Sequence, residues 1–102
     1  MINDEIRTLL DAPASGADAP SLDAIEDTLT SGYARALALE AERRQLERKI
    51  AEVAAELGGG SGDRSSELAT LGRRLADADG DIAHLRELLA SLRTRASELR
   101  AI

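Results

Sequence analysis

Apolar residues recur with an alternating three- and four-residue spacing along two long segments of this chain, and this repeat constrains the fold more than any other feature. In the first segment the repeat positions are Leu22, Ile25, Leu29, Gly32, Ala36, Leu39, Arg43, Leu46, Ile50, Val53 and Leu57. In the second they are Leu68, Leu71, Leu75, Ala78, Ile82, Leu85, Leu89, Leu92, Ala96 and Leu99. A sustained seven-residue repeat is typical of helices that pack along a coiled-coil seam. The sequence therefore predicts two long helices, over residues 21–57 and 64–101.

The two segments are joined by residues 58–63, which are rich in glycine and serine. Two helices of similar length on a short flexible joint fold back on each other in antiparallel fashion, and the glycines permit the reversal. We therefore expect a turn at residues 58–63, with Asp63 as the N-cap of the second helix. A run of this composition also joins helices in engineered proteins, and the sequence leaves the two origins open.

The first 20 residues form a separate element, consisting of a short helix over Asn3–Asp11 and a linker that holds both prolines. Asn3 is the expected N-cap, Pro13 follows the end of the helix, and Ser21 is the expected N-cap of the first long helix. One face of the short helix is apolar and comprises Ile2, Ile6, Leu9 and Leu10. A helix of this length is not stable alone in water. We therefore predict that this face docks on the hairpin of residues 21–102 or on a partner.

The composition agrees with an all-α fold. The 102 residues include no Cys, Trp or Phe, and charged residues make up 31%, which is typical of long helices. Two helices that touch along one seam bury each apolar side chain only in part, and a single seam rarely offsets the entropy of ordering the chain. The predicted fold is therefore an antiparallel two-helix coiled-coil hairpin with a short N-terminal helix, which assembles into a four-helix bundle.

A register that sets every repeat position of one segment opposite a repeat position of the other also pairs large residues with small ones. Gly32 then lies opposite Leu89, and Arg43 lies opposite Ala78. Beside the seam, Glu26 faces Arg100, and Tyr33 lies under Arg93 as a cation–π pair. We expect the long stem of Arg43 to pack in the seam while its guanidinium reaches Asp77 or Asp81. The alternative is that a charge at this position sets the register or the oligomeric state.

A strip of small residues lies beside the seam of the second long helix. Its members recur every seven residues and are Ala69, Ala76, Ala83 and Ala90. Small residues in line let another helix approach closely, and Tyr33, Leu37 and Leu88 also lie off the main seam. We predict that these seven residues form a homodimer interface. The alternative is that the strip reflects composition only, because alanine is the best helix former.

No motif for catalysis, for a cofactor or for a metal is present. The string DADGD at residues 77–81 resembles the start of an EF-hand loop, but Ile82 and Leu88 occupy the positions that require Gly and Glu. The apolar repeat also runs through this string, which predicts a helix. His84 is the only histidine and cannot form a catalytic dyad or a zinc site by itself. We therefore predict a chain that is not an enzyme and has no cofactor.

The charge distribution and hydropathy exclude further classes. The net charge is −6; residues 1–32 carry seven acids and one base, and the remaining residues balance. A nucleic-acid-binding protein usually has a basic stripe, and no apolar run approaches the ~18 residues of a membrane span. The N-terminus has acids where a secretory signal needs bases. The sequence therefore predicts a cytoplasmic protein with no nucleic-acid or membrane partner.

In form only, the hairpin resembles small secreted proteins of the WXG type, although its turn, GGGSG, has no Trp-x-Gly. It is also similar in shape to the N-terminal hairpin arm of seryl-tRNA synthetase, which needs basic residues to bind tRNA. We predict a non-enzymatic protein–protein interaction or assembly module that forms a homodimer, with a further, unidentified protein partner as a possibility. The alternatives are a secreted WXG-like hairpin and a nucleic-acid-binding arm.

Overall fold

Three helices make up the part of the chain that the computed structural model describes, which comprises residues 1–57 and 64–101. They are α1 (Ile2–Asp11), α2 (Leu22–Leu57) and α3 (Arg64–Arg100). These residues contain no strand, and α2 and α3 pack against each other like the arms of a hairpin. The predicted all-α fold is confirmed. The turn predicted at residues 58–63, including the Asp63 cap, lies outside the described residues.

The ends of α1 and α2 differ in how well their caps were predicted. The amide of Ala24 donates a hydrogen bond to Ser21 Oγ at 3.1 Å, so the predicted N-cap of α2 is confirmed. The predicted Asn3 cap of α1 is wrong, because the N-cap is Met1 and no side chain caps this end. Asp4 and Glu5 in the first turn of α1 instead place negative charge near the positive end of the helix dipole.

The linker after α1 begins with an extended residue and contains a turn. Ala12 has φ −72° and ψ 159°, the conformation that a following proline favours, and Pro13 therefore ends the helix. Further along, Gly16 has φ +96°, and the amide of Ala19 donates to the Gly16 carbonyl at 3.2 Å. A side chain at Gly16 would be strained in this left-handed conformation.

The chain divides into two compact units, and α2 and α3 contribute to both. The first unit comprises Met1–Leu37 and Ala83–Ile102, and the second comprises Ala38–Ile82. In the first unit α2 and α3 run antiparallel, because Glu26 pairs with Arg100 while Gly32 lies against Leu89. These two pairings agree with the predicted register.

The first unit has a well-buried core. Its buried apolar residues are Ile6, Ile25, Leu29, Ala36, Leu85, Leu89, Leu92 and Ala96. All except Ile6 occupy positions of the predicted repeat, and Ile6 comes from α1. The first unit is therefore a three-helix core in which α1 supplies the third side.

The second unit has fewer buried residues. Its helices also run antiparallel, because Glu56 pairs with Arg64 at 2.7 Å while Arg43 pairs with Asp79. Only Val53, Leu71 and Ile82 are buried among its described apolar residues. The other repeat positions are half-buried: Leu39, Arg43, Leu46, Ile50, Leu57, Leu68, Leu75 and Ala78. Two helices without a third therefore leave much of this seam accessible to solvent.

None of the described helices combines the length with the apolar character that crossing a bilayer requires.

Candidate functional site

α1 lies against both long helices of the first unit. Ile6 is 0% exposed, and its Cδ1 lies 3.6 Å from where a Cβ on Gly32 would stand. Arg7 Nη2 donates to His84 Nε2. Because a guanidinium can only donate, Nε2 of His84 is the acceptor in this contact. The other three residues of the predicted docking face, Ile2, Leu9 and Leu10, are half-buried.

The C-terminal end of α1 meets an arginine of α3. Arg95 Nη2 donates to the Leu10 carbonyl at 3.3 Å, while Arg95 Nη1 is buried without a hydrogen-bond partner among the described residues. The last turn of α1 has no basic residue of its own. Arg95 therefore supplies the positive charge that favours the C-terminal end of a helix. Sequence reasoning missed this contact, since the only local signal is the missing basic residue at the end of α1.

The contacts of α1 identify one face of the first unit, which we call the α1 face. His84, Leu88 and Arg95 follow one another at helical spacing, so they share one side of α3. Arg7 and Leu10 of α1 contact the first and the last of them. Leu88 is half-buried between them along the helix. The structure therefore places this predicted interface residue on the α1 face, apart from the other six.

The opposite face of the first unit has no covering helix among the described residues, and we call it the open face. It is defined by Tyr33 and Leu37 of α2 and by Arg86, Ala90 and Arg93 of α3. Tyr33, Arg86, Ala90 and Arg93 line a shallow groove of about 130 Å³ over Leu89. Leu37 follows Tyr33 by one helical turn and therefore projects from the same side of α2.

Exposed apolar side chains are concentrated on this open face. The large hydrophobic residues that are exposed in the described part of the chain are Met1, Tyr33 at 36% and Leu37 at 66%. Ala83 and Ala90 are exposed on α3, and the other two residues of the alanine strip, Ala69 and Ala76, are exposed in the second unit. Six of the seven predicted interface residues are thus exposed at the surface.

Pairs of charged and polar residues border the open face. Arg93 Nη1 lies 3.4 Å from the Tyr33 hydroxyl, which is long for a hydrogen bond. The predicted pairing is therefore present, but the observed contact is with the hydroxyl instead of the ring. Arg100 donates to Glu26 Oε1 through Nε at 3.3 Å and Nη2 at 2.7 Å. These contacts hold the edges of α2 and α3 together on the side away from α1.

In the second unit, Arg43 joins two acids. Its Nη1 lies 3.0 Å from Glu47 Oε1, and its Nε donates to Asp79 Oδ1. The predicted partners Asp77 and Asp81 were wrong, because the antiparallel approach brings Asp79 toward α2. Arg43 thereby separates two carboxylates of like charge that border the seam.

A wider groove of about 420 Å³ lies in the second unit, with Leu46 and Leu71 at its base and Glu42, Gln45, Lys49, Glu67, Thr70 and Arg74 around it. Arg64 lies close to its rim, between Glu67 Oε2 at 2.6 Å and Glu56 Oε2 at 2.7 Å. The hydrogen bond that Arg64 donates to Glu67 and the charges of both acids raise the pKa of Arg64. Acidic and basic residues alternate around the rim of this groove, whereas the charged residues at the open-face groove are the arginines Arg86 and Arg93.

Residues 77–81 lie inside α3, as the repeat predicted, so the DADGD string does not form a loop. In the part of the chain that the structure describes, no group of three His, Cys, Asp or Glu residues is arranged to hold a metal ion. The candidate functional site is therefore the open face, where exposed apolar side chains lie next to arginines.

Comparisons of this chain with protein-family models, with curated proteins and with solved structures find no match.

Proposed function

We propose that the protein is a non-enzymatic assembly module that works by self-association through the open face. The observation that carries this proposal is the exposure of Leu37 and Tyr33 on the same side of α2, next to a groove on α3. Large apolar side chains that share one face, bordered by polar residues, are typical of a contact surface. Under the proposal the residues of this surface are those predicted from the sequence, without Leu88.

The way in which the first unit is covered supports the choice of face. α1 already occupies one side of the hairpin, so a second hairpin has the opposite side available. Two hairpins that meet there would form a four-helix bundle with coiled-coil packing, and each would cover the seam edge that the other leaves exposed. The alanine strip favours this arrangement, because Ala83 and Ala90 let a partner helix approach α3 closely.

The proposal includes the absence of enzymatic activity and a cytoplasmic location. The absence of enzymatic activity is proposed because the sequence lacks a nucleophile paired with a base. The residues of the open face also suit contact with another protein better than they suit catalysis. A homodimer is the working unit in this proposal, with a different protein partner as the alternative occupant of the same face.

Two charge substitutions test the proposed face. Ala83→Glu places a carboxylate within the alanine strip and should weaken self-association about tenfold or more, because burying an unpaired charge in an interface is costly. Arg48→Glu adds a carboxylate at an exposed position of α2 and serves as the control. Light scattering after size-exclusion chromatography measures both. Equal masses for Ala83→Glu, Arg48→Glu and the parent protein would contradict the proposed face.

A further inference from the structure

In the second unit, two acids face each other across the seam and an arginine of the same chain lies between them. Arg64 lies 2.7 Å from Glu56 Oε2 on α2 and 2.6 Å from Glu67 Oε2 on α3. Arg43 joins a second pair of acids in the same way. Like charges that face each other repel unless an opposite charge separates them. The chain therefore supplies its own counter-charge to both pairs of acids.

Two cations occupy the equivalent positions one heptad along the hairpin. Lys49 lies seven residues before Glu56, and Arg74 lies seven residues after Glu67. Because α2 and α3 are antiparallel, both steps run in the same direction, and Lys49 faces Arg74 as Glu56 faces Glu67. Both cations line the groove of about 420 Å³. Neither forms an ion pair with another described residue.

The acids on the rim of this groove leave the two cations without a counter-charge. Glu67 accepts a hydrogen bond from Arg64 at 2.6 Å, and Glu42 takes part in another contact. Two facing cations attract an anion from outside the chain. A carboxylate between Lys49 and Arg74 would therefore do for them what Arg64 does for the acids.

The floor of the groove adds an apolar requirement. Leu46 is half-buried, and Leu71 is 5% exposed. A volume of this size admits several side chains. A suitable occupant therefore combines a carboxylate with apolar side chains, which an amphipathic helix presents at helical spacing. The packing of α1 on the two long helices of the first unit shows that such a pair of helices accepts a third.

The charges favour a protein segment over a nucleic acid. A phosphate backbone carries closely spaced negative charges, and some of them would meet Glu42 and Glu67 on the rim. A helix can place one carboxylate at the two cations and keep the rest of its contact surface apolar.

We propose that this groove docks an acidic amphipathic helix of a partner protein, with one carboxylate between Lys49 and Arg74 and with apolar side chains on Leu46 and Leu71. The groove shares no residue with the open face, so this inference does not depend on the proposed self-association.

The stability of the free protein tests whether the two cations lack a counter-charge. Lys49→Glu places a carboxylate opposite Arg74 and should raise the melting temperature by about 2–5 °C, because it replaces repulsion with attraction. Arg48→Glu is the matched control, since it changes the charge equally at the neighbouring exposed position, and it should give no such rise. A melting temperature of Lys49→Glu no higher than that of Arg48→Glu would overturn the proposal.

A model peptide tests the docking itself. The probe is a fluorescently labelled helix of about 18 residues, long enough to be helical in water, with leucines on one face and glutamates beside them. A twin peptide carries glutamine in place of glutamate. By fluorescence anisotropy, we expect the glutamate peptide to bind about fivefold or more tightly than its twin and to lose affinity as salt is added.

The same two variants locate the binding site. Lys49→Glu should weaken binding of the glutamate peptide about fivefold or more, whereas Arg48→Glu should leave the affinity unchanged, and circular dichroism checks that both variants keep their helices. Equal binding of the two peptides, or equal binding by Lys49→Glu and the parent protein, would overturn the proposed docking. A single-stranded DNA oligomer that binds more tightly than the peptide, and whose binding Lys49→Glu abolishes, would overturn the choice of a protein partner.

Discussion

Gly32 of α2 lies against Leu89 of α3 so closely that a Cβ at this glycine would overlap Leu89 Cδ2, and the same Cβ would stand 3.6 Å from Ile6 Cδ1. Three helices thus converge on a position that has no side chain. Leu89 and Ile6 are both buried, at 2% and 0% exposure, so neither can readily move aside. The close approach explains a glycine in the middle of a long helix, where this residue is otherwise unfavourable.

Gly32→Ala should destabilise the protein in spite of the better helix propensity of alanine. Overpacking a filled core costs about 1–3 kcal/mol, and the gain in propensity is up to about 1 kcal/mol. We expect a net loss in the free energy of unfolding, measured by urea titration. Gly72→Ala and Gly80→Ala are matched controls, because a Cβ at either glycine meets no atom within 4 Å. Both controls should gain stability, and a gain for Gly32→Ala as well would contradict the close packing.

Ile6→Ala should undock α1 from the first unit. Removing a fully buried isoleucine costs about 2–5 kcal/mol, and the ten residues of α1 cannot remain helical alone in water. Amide hydrogen exchange should therefore show loss of protection in α1 while α2 and α3 keep theirs. Thr8→Ala, at an exposed position of the same helix, is the control. Protection of α1 that survives Ile6→Ala would mean that the polar contacts hold the helix.

Substitutions of His84 test the hydrogen bond from Arg7, and their expected effect on the docking of α1 is smaller than that of Ile6→Ala. His84→Gln keeps an acceptor for the guanidinium, whereas His84→Lys places two cations together. We expect His84→Lys to loosen α1 by about 0.5–1 kcal/mol, since both partners are partly exposed, and His84→Gln to have a smaller effect. Exchange rates of the α1 amides measure the difference. Equal rates in the two variants would show that this hydrogen bond contributes nothing to docking.

Much of the fold could be predicted from the sequence because it depends on helical spacing. The alternating spacing identified the buried positions of the first unit, such as Ile25 and Leu85, since each helix can bury only one stripe. The N-cap at Ser21 could be predicted for a similar reason, because its hydrogen bond joins residues that are three positions apart. The pairing of Gly32 with Leu89 followed from setting the repeat positions of the two helices opposite each other.

The contacts of the candidate site were harder to predict, because they join residues that are distant in the sequence. The contact of Arg95 with the Leu10 carbonyl depends on where α1 docks, and no pattern in the sequence specifies a side of the hairpin. For the same reason Leu88 could not be assigned to the α1 face. The partners of Arg43 were missed because side-chain direction along an antiparallel pair decides which acid is within reach.

Sedimentation equilibrium of the complete chain tests the central claim, self-association, most directly. At concentrations on the order of micromolar, we predict a mass of twice the 10.8 kDa of one chain, with Leu37→Glu shifting the equilibrium toward the single chain. A mass of one chain, together with full helicity by circular dichroism, would contradict the claim and would mean that the exposed Tyr33 and Leu37 have no homotypic partner.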